Sequence, residues 1–111
     1  MDISVKTVGH DVAIVKVVGK LNVVSSPALR QIVAGAVSDG HSRIVVDLRE
    51  VDFMDSSGLG AMISGLKAAR NVGGDLKITG ANDQVKLVLQ LTNMERVLVS
   101  AESVDLAFAD A

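Results

Sequence analysis

The sequence predicts an α/β fold, with a mixed central sheet of four to five strands and about four helices in the order β-β-α-β-α-β-α-(β)-α. Three observations carry this. Apolar residues alternate or run continuously over short stretches at 3–8, 12–18, 43–48 and 76–78, the patterning of strands. Between those stretches they recur at i, i+3, i+4 and i+7, the period of a helix with one buried face. Strands that alternate with helices pair in parallel through crossover connections, whereas the first two runs are separated only by Gly9-His10-Asp11 and form an antiparallel hairpin.

Each element has its own justification. Ile3, Val5 and Thr7 alternate with polar neighbours. Val12 to Val18 is apolar on both faces and belongs inside the sheet. Gly19-Lys20-Leu21-Asn22 breaks the strand, and Ser25 or Ser26 caps a helix with Pro27 at its start, where a missing N–H costs nothing. Leu29, Ile32, Val33, Ala36 and Val37 form its inner stripe, and Gly40 suits a left-handed residue beyond its end. Arg43 to Leu48 reads as a strand covered on both faces, followed by a short connection from Arg49 to Met54 in which Val51 and Phe53 tuck inward. Asp55 is a good N-cap for a helix carrying Leu59, Met62, Ile63 and Leu66 inward, which runs to Val72 and ends at Gly73-Gly74. Leu76 and Ile78 mark a further strand. Asn82 caps a helix with Val85, Val88, Leu89 and Leu91 inward, closed by Asn93. Val97-Leu98-Val99 reads as an edge strand, and Ser100 as the cap of a last helix with Val104, Ala107 and Phe108 inward.

Composition narrows the function. With 111 residues, 49% of them hydrophobic, the chain is long enough for one folded domain over residues 1–111. It has no Trp or Tyr and only two Phe, so base-stacking platforms are missing. The net charge of −2 without a basic stripe argues against a nucleic-acid partner. The absence of cysteine removes disulfides, thiolate metal sites and thiol nucleophiles. No apolar run approaches membrane-spanning length and Met1-Asp2 opens directly into strand patterning, so the expectation is a cytoplasmic protein without a membrane partner.

The chemistry points to Asp55-Ser56-Ser57-Gly58-Leu59-Gly60, a helix start with two serines and little bulk. A serine nucleophile in a sharp strand-to-helix turn needs glycine two residues before it, but Asp55 precedes Ser57 by two. The histidines available as bases, His10 and His41, both fall in predicted turns. A phosphate cradle is weakly supported, because no lysine follows the glycines. Asp47, Glu50, Asp52 and Asp55 offer carboxylates for a metal or simply a solvated acidic loop. A serine in the first helical turn is also a place where phosphate, with about −1.5 to −2 charges, leaves the fold intact and changes the surface. On these grounds alone, a phosphorylation switch and an ordinary pair of first-turn serines both stay open.

Val51-Asp52-Phe53-Met54-Asp55-Ser56-Ser57-Gly58-Leu59-Gly60 resembles the signature of the STAS domain, in particular of the bacterial anti-sigma-factor antagonists. Gly73-Gly74, Leu91-Thr92-Asn93-Met94 and the order of elements from Ile3 to Phe108 are similar as well. The resemblance implies a STAS fold and a non-enzymatic regulator without a cofactor. It implies that the unphosphorylated form binds an anti-sigma factor that is itself a serine kinase, thereby releasing a sigma factor. Phosphorylation by that kinase ends the binding, and a PP2C-type phosphatase restores it. Ser56 matches the phosphorylated serine, Asp55 the aspartate that frames it, and Ser57, Gly58 and Leu59 the remainder of a partner-binding turn. Many such proteins carry Gly-Glu-Leu-Asp where this chain has Gly19-Lys20-Leu21-Asn22, a change of about +3 in local charge. Lys20 and Asn22 are therefore expected beside the site and in the choice of partner. The expected state is a monomer or weak dimer. Two alternatives stand beside this reading. One is a STAS scaffold or regulatory subunit of a stress-sensing complex or a transport system, and the other a nucleotide-binding protein.

Overall fold

The hairpin of β1 (Asp2–Val8) and β2 (Val12–Leu21) is antiparallel, with Val8 opposite Val12 and Gly9 in the left-handed region at the turn. The structure, a computed structural model, describes residues 2–104, 107 and 108. From β2 onward each neighbour is parallel: β3 (Arg43–Met54), β4 (Asp75–Thr79) and β5 (Val99–Ala101) follow in spatial order, giving a five-stranded mixed sheet β1-β2-β3-β4-β5. The crossovers carry α1 (Ser26–Ser38), α2 (Ser56–Asn71) and α3 (Asp83–Leu91), and a short 3-10 turn at Met94–Arg96 precedes β5.

One core joins sheet and helices. Alternate residues of the strands, among them Val15, Val17, Ile44, Val46 and Ile78, meet Leu29 and Val33 of α1, Met62 and Leu66 of α2, and Val85 and Leu89 of α3. On the opposite face of β3, Val45 and Asp47 are buried too, which is why 44–48 reads as a continuous apolar run. There Lys77 donates to the Ala107 carbonyl (2.8 Å) and lies 4.8 Å from the centre of the Phe108 ring. Two glycines are required by close approach. A Cβ on Gly74 would fall 1.8 Å from the Ser42 carbonyl oxygen, and Gly65 leaves room for Val33 where α2 crosses α1.

The structure departs from the sequence expectation at several places. The segment Arg49–Met54 is not a connection: β3 continues through it, still paired with β2 as far as Leu21 opposite Met54. Register shifts between Lys16 and Val18 and between Gly19 and Lys20 change which residues point inward, so Val51 is buried whereas Phe53 is 40% exposed. Leu91 is exposed, because α3 ends there and its inner stripe stops at Leu89. A fourth helix is not formed among the described residues. Ser100 pairs with Ile78 in β5, since the open edge of β4 takes up its backbone, and Val104, Ala107 and Phe108 lie in turns. The edge strand accordingly starts at Val99 rather than Val97. The rest of the expected helix, residues 105–106 and 109–111, lies outside the described residues.

Candidate functional site

The end of β3 delivers Asp55 to the start of α2 in extended conformation (φ −107°, ψ −172°). Its Oδ1 accepts from the backbone N–H of Ser57 (2.9 Å) and of Gly58 (3.1 Å), which satisfies two of the donors a helix start leaves free. Its own N–H donates to the Leu21 carbonyl (3.2 Å), tying the end of β2 to the same turn. Gly58 packs tightly against the strands: a Cβ there would sit 2.5 Å from the Leu21 carbonyl oxygen and 2.9 Å from Met54 Cγ. The bareness of this turn is thus what lets α2 seat on the strands.

Packing sorts the residues of the motif. Ser56 is exposed and Ser57 half-buried, while Gly58 and Leu59 face inward. The Ser56 hydroxyl makes no hydrogen bond among the described residues. Ser56 opens onto a groove of about 520 Å³ between α1, α2 and the segment after α3, with Leu59, Ile63 and Met94 as its apolar lining and Arg30 and Lys67 as its charges. The Arg30 guanidinium lies over Gly60, its Nη2 3.1 Å from where a Cβ would be.

The β2–α1 loop lies beside this turn through Leu21. Within the loop, Asn22 Oδ1 accepts from the N–H groups of Val24 (3.0 Å) and Ser25 (3.3 Å). Ser25 Oγ donates to the Lys20 carbonyl and accepts from Asn22 N–H instead of capping α1. The loop so fixed presents Val23 and Val24 to solvent, 66% and 84% exposed. Lys20 is exposed opposite Phe53 and does not line the groove that holds Ser56.

Sequence reasoning missed three contributors. Gln84, in the first turn of α3, bonds both backbone groups of Met54. Arg30 stands off the apolar stripe of α1. Val23 and Val24 form an apolar tip in what read only as a helix approach. Asn82 Oδ1 caps α3 by accepting from Val85 N–H (2.9 Å), while Asn82 Nδ2 donates to the Val51 carbonyl (3.1 Å), so α3 is pinned to β3 just before the site.

Other chemistries find no assembly here. Asp47 is held by Arg49 (2.8 Å) and Glu50 by Lys16 (2.5 Å), while Asp55 is spent on its cap. Among the described residues no three potential ligands gather for a metal ion. His10, in the β1–β2 turn, and His41, just before β3, lie at the opposite end of the parallel strands from Ser56. No helix among the described residues is long and apolar enough to cross a membrane.

A five-stranded mixed sheet with a capped, serine-bearing helix start at the carboxyl end of its central strand defines a class of small α/β domains. The chain belongs to the STAS domain family, whose model matches residues 3–109. It is 31% identical over 99 residues to the anti-sigma-B factor antagonist of Staphylococcus aureus (strain NCTC 8325 / PS 47), covering 88% of this chain and 92% of that protein. Among solved structures it superposes on tm1081 of Thermotoga maritima, described provisionally as an anti-sigma factor antagonist, with a TM-score of 0.88 and 27% identity over 97% of this chain and 92% of that one. The anti-sigma factor antagonist SpoIIAA, a Bacillus cell fate determinant, shares the fold at 19% identity. Its unphosphorylated form gives a TM-score of 0.81 over 92% of this chain and 90% of that one.

Proposed function

We propose that this protein is an anti-sigma-factor antagonist that works by partner switching. Unphosphorylated, it binds an anti-sigma factor serine kinase and so releases a sigma factor. The kinase transfers the γ-phosphoryl group of ATP to Ser56 Oγ: the new O–P bond forms as the bond to ADP breaks, and the hydroxyl proton is lost. The phosphorylated form lets go, and a PP2C-type phosphatase hydrolyses the ester. The protein then acts in the cytoplasm as a single domain, a monomer or weak dimer, and catalyses nothing itself.

The observation that carries this reading is the exposed Ser56 hydroxyl, without a hydrogen bond among the described residues, one residue after the helix-capping Asp55. Likeness to an antagonist over nearly the full length of both chains supports it. The docking face consists of the Asp55–Leu59 turn, where Ser56 and Ser57 supply the accessible atoms and Asp55, Gly58 and Leu59 their support, together with Lys20 at the end of β2 and Asn22 in the loop that follows it. A dianion at its centre must be desolvated when a partner docks, which is costly without a cation opposite.

Titration calorimetry with the anti-sigma factor tests this. Ser56→Ala binds and is no longer released by ATP, whereas Ser56→Asp keeps its thermal transition and loses binding at least tenfold. Equal affinity of Ser56→Asp and the wild type for the anti-sigma factor would refute the switch.

A further inference from the structure

We infer that Arg30 is the receptor for a phosphate on Ser56: the guanidinium on α1 closes on the modified side chain of α2 and holds it within the groove the two helices share. This rests on the reading of Ser56 as the modified residue and concerns what grips the phosphate once it is attached.

The helix start itself has little left to offer an anion. The N–H groups of Ser57 and Gly58 are taken by the Asp55 carboxylate, and that of Leu59 donates to the Asp55 carbonyl (3.1 Å). The same carboxylate places a like charge beside the new one. A phosphate there needs a cation from another element.

Arg30 is that cation. Its Nη2 lies 3.1 Å from where a Cβ at residue 60 would stand, over the bare backbone of Gly60. Residue 60 is one turn beyond Ser56 on the same face of α2, and Cβ positions four apart on a helix are about 5–6 Å from each other. A phosphate on Ser56 Oγ extends into the gap between them. Arg30 is exposed and forms no ion pair among the described residues, so its side chain is free to turn. The guanidinium fork matches two phosphate oxygens at once.

The other charges around the site are placed less well. Lys67 lines the far end of the groove, eleven residues along α2 and so roughly 16 Å from Ser56. Lys20 stands on β2 opposite Phe53, outside the groove. Asp52 and Asp55 are carboxylates, and among the described residues no carboxylate lines the groove itself. The sequence places Lys20 beside the site, whereas the geometry puts the Arg30 guanidinium nearest the groove at Ser56.

Phosphoserine incorporated at position 56 during translation allows a direct test by phosphorus NMR titration of the whole chain. The second ionisation of phosphoserine lies near about pH 6. Arg30→Gln raises it by about 0.5 or more relative to the phosphorylated wild type, and Arg30→Lys recovers part of the difference because it keeps the charge without the fork. Lys20→Gln leaves it unchanged. An identical titration in wild type and Arg30→Gln, or a shift produced by Lys20→Gln instead, overturns the assignment. The phosphate is installed without a kinase, so this outcome is independent of the anti-sigma factor. Failure of the Ser56→Asp binding test would remove the switching role and leave the Arg30–phosphate contact standing.

Discussion

The side-chain amide of Gln84 pairs with the backbone of Met54 as another strand would: Gln84 Oε1 accepts from Met54 N–H at 2.8 Å, and its Nε2 donates to the Met54 carbonyl at 2.8 Å. Strand β4 stops at Thr79, opposite Asp47, so the last residues of β3 have no strand on that side. Gln84 supplies what the sheet does not. Replacing it with Leu leaves two backbone groups of the fully buried Met54 unpaired. The expected loss is about 2–3 kcal/mol, read from the urea midpoint at unchanged slope.

Two glycines give opposite expectations. Gly58→Ala forces a methyl group to within 2.5 Å of the Leu21 carbonyl oxygen, a backbone atom that cannot step aside. It should destabilise the protein by about 1–3 kcal/mol. Gly35 lies within α1 with nothing near its absent side chain. Gly35→Ala should therefore raise stability by about 0.5–1 kcal/mol through helix propensity. Thermal melts of the two variants against the wild type check both signs.

Asp55→Ala removes the cap of α2 and should cost about 1 kcal/mol. Hydrogen exchange at the Ser57 and Gly58 amides, which the carboxylate protects, should accelerate more than exchange in the middle of α2. Asp55→Asn keeps a side-chain acceptor and should retain most of the stability.

Asp47 sets an acid limit. Burial pushes its carboxyl pKa up, but the side-chain and backbone hydrogen bonds from Arg49, with the charges of Arg49 and Lys16, more than offset this and hold it below the ordinary value of 3.8. A group whose folded value lies below its unfolded one stabilises the fold in full above the unfolded value, and that stability is lost as pH falls through the folded value. The unfolding free energy should thus decline on acidification below about pH 4, and Asp47→Asn should flatten that decline. At pH 7 the substitution should cost about 1 kcal/mol, since Arg49 is largely exposed and solvent screens much of the attraction. Urea titrations between pH 2.5 and 7 measure both effects.

How far the sequence could be read depended on whether a residue's role was set locally. Asp55 and Asn82 each precede a helical apolar period, and a cap is a contact within four residues, so both were legible. The run at 44–48 showed its two covered faces directly. Phe53 was misjudged because the register shifts in the β2–β3 ladder change inside and outside, and nothing in either segment alone reports a bulge. Ser100 met a competitor invisible to local reasoning, the unpaired edge of β4. Arg30 and Gln84 are polar residues on helices and read as solvated. What they touch is decided by where α1 crosses α2 and where α3 meets β3, which are properties of the assembled fold.

The frame around Ser56 has a bearing on speed. The Asp55 cap, the Leu21 contact at Gly58 and the Gln84 clamp on Met54 all fix the backbone, and none uses the Ser56 hydroxyl. Chemistry at that oxygen therefore requires no hinge to open and no helix to melt. Under the proposed switch, the response is then paced by the modifying enzymes and by diffusional encounter with the partner rather than by a rearrangement of this backbone frame. In that proposal, the memory of the switch lasts as long as one ester bond.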